Sequence, residues 1–135
     1  MLISLPEITS LLKNCQTIAV VGLSPKENRP SNDVARYLIK AGFTVIPVNP
    51  GQDEILGLTC YPNLAAIPVK VDLVNIFRRS EDVEPVVDKA IEIRAKGVWM
   101  QQGIANEQAA TKARAAGLQV IMDRCIKVDH ANLFS

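Results

Sequence analysis

A chain of 135 residues with 48% apolar and 21% charged side chains has the size and composition of one ordinary globular domain. Its 15 Lys and Arg against 14 Asp and Glu leave a net charge of +1, which gives no global field to recruit nucleic acid. One Trp, two Tyr and three Phe are too few for a base-stacking platform, and no apolar run approaches the roughly 20 residues of a membrane span. Met1–Leu12 is broken by Ser4, Pro6 and Glu7 and lacks a basic start, so it does not read as a signal peptide. Cys15, Cys60 and Cys125 form no C-x-x-C pair, and the only histidine is His130, so neither a metal centre nor a disulfide framework is expected. Cys15 and Cys60 read as small buried hydrophobes of a reducing compartment, which implies a cytoplasmic protein.

Along the chain, Ser4 is placed to cap a first helix with Pro6 in its opening turn and Ile8, Leu11 and Leu12 on its apolar face. Thr17–Gly22 is a continuous apolar strand of the kind buried on both faces of a parallel sheet. Ser31 or Asn32 then caps a helix carrying Val34, Ala35, Leu38 and Ile39, closed by Gly42. Phe43–Val48 is a second strand, stopped by Asn49-Pro50-Gly51. Asp53–Pro68 reads as a loop with a short helix near Asn63–Ile67, and Val71–Phe77 as the third strand. A helix over Asp82–Lys96, with Pro85 confined to its first turn, leads to a fourth strand, Val98–Met100. Asn106 caps an alanine-rich helix ended by Gly117; Leu118–Met122 is the fifth strand, and Ile126–Phe134 trails off as a short helix or tail.

Strands alternating with helices predict one α/β domain over residues 1–135, a five-stranded parallel sheet with helices on both faces. The favoured strand order is the Rossmann 3-2-1-4-5, with a flavodoxin-like 2-1-3-4-5 as the alternative; in both, ligands bind beyond the carboxyl ends of the strands at the switch point. The residues after each strand therefore matter most. After the first strand, Gly22 lets a ligand approach the backbone, while Ser24 and Ser31 offer hydroxyls and Lys26 and Arg29 offer charge ahead of a helix N-terminus. This is not G-x-G-x-x-G, nor a Walker A loop. After the second strand, Asn49 and Pro50 stand where an NAD site would carry an acid for the ribose diol. After the third, Phe77 is followed by two more cations, Arg78 and Arg79. After the fourth come Gln101, Gln102 and Gly103, with Trp99 read as core. After the fifth, Cys125 beside Arg124 has no base adjacent in sequence and reads as structural, with Asp123 expected to neutralise Arg124.

Gly22-x-Ser24-x-x-x-x-Arg29-Pro30-Ser31, Val45-Ile46-Pro47-Val48-Asn49-Pro50, Asp72–Arg78, Gly97–Gly103 and Met122-Asp123-Arg124-Cys125 together resemble the small stand-alone CoA-binding proteins, over about residues 10–128. These are similar to the N-terminal CoA-binding domain of the succinyl-CoA synthetase α-subunit. The resemblance implies CoA or an acyl-CoA across the strand ends. Gly22–Ser31 would receive the phosphates through Ser24, Lys26 and Arg29, Asn49 and Pro50 would flank the adenosine, and Phe77, Arg78 and Arg79 would line the diphosphate or pantetheine path. The synthetase's phosphohistidine lies in a second domain, and His130 matches no such position, so no ligase chemistry is implied.

The expected function is non-catalytic binding of CoA or acyl-CoA, with no nucleic-acid or membrane partner and with room for an unidentified protein partner. The alternatives are an enzyme of unknown reaction using a nucleotide-type cofactor such as NADP, and a regulatory subunit that senses acyl-CoA. Gly22→Val is expected to abolish CoA affinity while the fold largely survives.

Overall fold

Five short apolar runs form the strands of one parallel sheet: β1 (Thr17–Val21), β2 (Thr44–Val48), β5 (Leu73–Ile76), β6 (Gly97–Met100) and β7 (Gln119–Ile121). A two-stranded antiparallel hairpin, β3 (Glu54–Ile55) and β4 (Leu58–Thr59), lies outside it. The computed structural model describes residues 3–134. Helix α1 (Leu5–Lys13) opens with the expected Ser4 cap, completed into a capping box by Glu7. Helix α4 (Glu107–Ala115) opens with the Asn106 side chain accepting from the Ala109 N–H. α3 (Val83–Glu92) is shorter than expected, because the chain leaves it through Arg94 at φ +60. The C-terminal stretch is a full helix, α5 (Ile126–Phe134).

Helix α2 (Pro30–Lys40) corrects the capping expectation. It starts one residue before Ser31, with Arg29 in the cap position and no side-chain cap. Ser31 and Asn32 are instead buried and bonded to the preceding loop. Leu64–Ala66 forms the expected short helical turn, capped by Asn63. The hairpin turn at Leu56-Gly57 was hidden, because both residues take positive φ (56 and 73) and leucine is an unusual choice there.

The sheet order is β2-β1-β5-β6-β7. The expected 3-2-1-4-5 is therefore corrected: the third long strand, β5, pairs with β1 through Ile18–Leu73 to Val21–Ile76 and does not add outside β2. Counting the five sheet strands alone, this is the 2-1-3-4-5 alternative. The cause is visible on the outer edge of β2. A single parallel bridge joins Val48 and Tyr61, with the Tyr61 N–H on the Pro47 carbonyl and the Asn49 N–H on the Tyr61 carbonyl. The place of a third strand is occupied by one residue, so the next strand in sequence goes to the other side of β1.

Two apolar layers cover the sheet. On one face Ala19, Val21, Val74, Ile76, Val98 and Met100 pack against α3 and α4 through Val83, Val87, Ala90, Ala109 and Ala113. On the other, Ile18, Val20, Leu73, Trp99 and Ile121 pack against α1, α2 and α5 through Leu11, Val34, Leu38 and Ile126. Trp99 is fully buried, as expected, and its indole N–H donates to the Arg124 carbonyl at 2.8 Å. Because β2 departs to one side of β1 and β5 to the other, the switch point lies where β1 and β5 end.

Candidate functional site

The strand ends meet tightly. Gly22 has φ +88, and a Cβ built on it would lie 2.2 Å from the Phe77 carbonyl oxygen. Both the dihedral and the contact demand glycine. The Gly22 N–H donates to the Val48 carbonyl at 2.9 Å and the Phe77 N–H to the Val21 carbonyl at 2.8 Å, so β2, β1 and β5 leave the sheet through one junction. Gly22→Val would strike the Phe77 carbonyl, so the expectation that the fold largely survives it is corrected.

A cleft of about 480 Å³ opens over this junction, lined by Gly22, Ser24, Lys26, Arg29, Ser31, Phe77, Arg78 and Arg79, with Pro30 and Ile104. Arg79 is held by Asp82 at 2.9 Å. Lys26, Arg29 and Arg78 form no ion pair with the described residues. The Ser24 hydroxyl oxygen accepts from the Lys26 N–H (3.1 Å) and the Ser31 hydroxyl oxygen from the Ser24 N–H (3.0 Å). Each hydroxyl is thus fixed as an acceptor and keeps its proton to donate. The α2 N-terminus, with no side-chain cap, contributes its positive dipole end to the same opening. Arg78 also lines a second, more apolar cavity of about 240 Å³ between the ends of β1 and β2 and α3, walled by Val21, Val48, Pro62, Leu64, Pro85 and Val86.

Four expected contacts lie outside the cleft lining. Asn49 is used internally: its amide donates to the Leu23 carbonyl at 3.0 Å and its oxygen accepts from the Gly51 N–H at 2.8 Å. Pro50 is exposed on the same turn. Gln101 is buried, its oxygen accepting from the Asn75 side chain and the Ile126 N–H. The Gly103 N–H is taken by the Asp123 carboxylate at 2.6 Å. Residues the sequence reading missed are Ile104, in the lining, and Asn32 and Arg36, behind it. Their one signal is the helical spacing of four, which brings the Arg36 Nε to 2.8 Å from the Asn32 oxygen.

Around Cys125 the expected pairing is replaced. Arg124 is held bidentately by Asp129, at 2.6 and 2.9 Å, while Asp123 serves Gly103. Cys125 is half-buried at the entry to α5. Cys15 and Cys60 are buried and free, and burial pushes the Cys15 thiol up to about 12. His130 stacks on Phe134 and bonds the Tyr37 hydroxyl at 2.8 Å; burial lowers its pKa. Among the described residues no group of three or more His, Cys, Asp or Glu is placed to hold a metal ion, and no helix is long and apolar enough to cross a membrane.

Fold and cleft together define a doubly wound α/β domain with a cation-rimmed opening at its switch point. The chain belongs to the CoA binding domain family, whose model matches residues 16–131. The uncharacterized protein YneT of Bacillus subtilis strain 168 is 44% identical over 125 residues, 93% of each chain. Acetate–CoA ligase [ADP-forming] I of Archaeoglobus fulgidus is 39% identical over 77 residues, 57% of this chain and 11% of the ligase. Among solved structures, a hypothetical protein from Pyrococcus horikoshii OT3 has a TM-score of 0.96 at 38% identity, over 98% of this chain and 94% of that one. The acetyl-coenzyme A synthetase 1 of Ca. Korarchaeum cryptofilum has a TM-score of 0.73 at 32% identity, over 81% of this chain and 26% of the synthetase.

Proposed function

We propose that this protein binds CoA or an acyl-CoA at the carboxyl ends of β1 and β5 and does not convert it. The observation that carries this reading is the cleft itself, where Lys26, Arg29 and Arg78, two donor-ready serines and an uncapped helix N-terminus converge. Several charge-assisted donors on one rim suit a ligand with several phosphates. In this reading the adenine takes the apolar cavity that shares Arg78 and the diphosphate lies over Gly22; the apolar walls of that cavity support the assignment. The described lining of the cleft holds no Asp, Glu, His or Cys to act as base or nucleophile. The related ligase in Archaeoglobus is named for an acetate–CoA reaction, but this chain spans 11% of it, which supports the transfer of binding and not of ligation. The three free thiols accord with a cytoplasmic location.

Calorimetry tests the reading. CoA should bind more tightly than dephospho-CoA, by about tenfold for one charge-assisted phosphate contact, and NAD should bind poorly. NAD binding as tightly as CoA would overturn the assignment. Incubation with acetyl-CoA should release no free thiol; turnover, or NADP binding as tightly as CoA, would favour the enzyme alternative.

A further inference from the structure

We infer that Asn32 and Arg36 act as a clamp that holds the loop after β1 in its binding shape before any ligand arrives, so that Arg36 is a positioning residue of the cleft without lining it. This rests on the CoA-binding reading for its consequence but not for its geometry.

The clamp grips the backbone of one residue, Ser24, at both its N–H and its carbonyl. The Ser24 N–H donates to the Ser31 hydroxyl at 3.0 Å, and the Ser24 carbonyl accepts from the Asn32 amide at 2.9 Å. Both partners belong to the first turn of α2 and both are buried, Asn32 to 1% exposure. An asparagine amide can present either end to a neighbour. Arg36 decides which. Its Nε donates to the Asn32 oxygen at 2.8 Å, and a guanidinium has no acceptor, so only the NH₂ end of Asn32 is left for Ser24. The same guanidinium reaches on to the Glu27 carbonyl at 3.1 Å and so fastens the loop a second time, three residues later. One planar fork therefore fixes the amide orientation at Asn32, the backbone at Ser24 and the backbone at Glu27.

The clamped segment carries part of the binding surface: Ser24, one anchor, and Lys26, between the anchors, both line the cleft. A loop ordered in advance loses less freedom on binding. A lysine at position 36 would keep the charge, but as a single point donor it cannot serve Asn32 and Glu27 together. This separates positioning from electrostatic attraction, since attraction alone would be restored by lysine.

The test compares wild type with Arg36→Leu and Arg36→Lys, with Asn32→Ala as an independent break in the relay. Amide hydrogen exchange is measured first without ligand. Exchange over Leu23–Asn28 should rise about tenfold in both Arg36 variants, a step of the size set by a hydrogen bond to a charged group, while amides of β1 and β5 stay protected. CoA affinity by calorimetry should fall by about tenfold in Arg36→Leu and equally in Arg36→Lys, and saturating CoA should restore loop protection. Unchanged loop exchange in both variants, or CoA affinity restored to the wild-type value by lysine, would overturn the clamp. Should wild type fail to bind CoA, the ligand reading falls and the ligand-free exchange still decides the clamp.

Discussion

Replacing Gly22 by alanine sets a methyl carbon 2.2 Å from the Phe77 carbonyl oxygen, on a residue whose φ is +88. Two costs add. Holding a non-glycine residue in the left-handed region costs about 1–2 kcal/mol. Relieving the contact requires the β1 and β5 exits to separate by roughly an ångström, against the Gly22–Val48 and Phe77–Val21 hydrogen bonds, and forced repacking of this kind costs about 1–3 kcal/mol. The total is about 2–5 kcal/mol. At about 3 °C per kcal/mol for a domain of this size, the midpoint of thermal unfolding should drop by about 6–15 °C. The assay is a melt followed by far-ultraviolet circular dichroism, paired with CoA calorimetry well below the lowered midpoint. CoA affinity should fall as well, because the displaced Phe77 carbonyl carries Arg78 with it. A midpoint within about 2 °C of wild type would show that the junction yields easily and would refute the claim that this glycine is imposed by packing.

Arg124→Leu strands the Asp129 carboxylate, whose side chain is 9% exposed, and should cost about 2 kcal/mol in chemical denaturation after allowance for the half-exposed arginine; an unchanged midpoint would discount the pair. Burial lowers the His130 pKa, so the unfolded chain takes up a proton more readily than the folded one. The stability tied to neutral His130 is therefore complete above about pH 6.5 and shrinks as pH falls below that through the lowered folded value, and His130→Phe should flatten the dependence of the melting midpoint over that range. Iodoacetamide at pH 8 should label half-buried Cys125 in the native protein and leave Cys15 untouched until unfolding, since its thiol is pushed up to about 12; labelling of Cys15 at the Cys125 rate would contradict the packing. Cys125→Ser should retain CoA affinity within about twofold, as a half-buried thiol outside the cleft lining makes no charge-assisted contact.

How far the molecule could be read from its residues depended on the range of the interaction. Strands such as Thr17–Val21 announce themselves as unbroken apolar runs, and helices such as Glu107–Ala115 by local periodicity with a polar cap at Asn106. Both were legible, whereas the start of α2 was not. The strand order was not, because it turned on Tyr61, whose lone bridge to Val48 carries no pattern of its own. The cleft residues that follow β1 and β5 were legible because they lie in the segments joining each of those strands to its next helix, up to the first turn of α2. Gln101 and Asn49 also follow strands, yet their side chains are spent on Asn75, Leu23 and neighbouring backbone. Position at a strand end is a local fact, whereas the direction of an amide is set by partners tens of residues away. Asn32 and Arg36 were missed for the complementary reason: they sit in a helix, away from any strand end, and act backwards on the loop.

The single-residue bridge at Tyr61 also decides what the neighbouring backbone is free to do. A full strand there would have committed successive residues to a ladder along β2, with side chains alternating up and down. With one residue sufficing, the chain turns at once, and Pro62 and Leu64 come over the ends of β1 and β2 as a wall of the apolar cavity. Pro47, on the β2 edge that Tyr61 touches, gives its carbonyl to that bridge, and a proline is tolerated on an edge where no further donor is asked of it. The sheet has in effect exchanged a strand for a hollow: hydrogen-bonding edge given up on β2 reappears as open, apolar-walled volume beside the switch point.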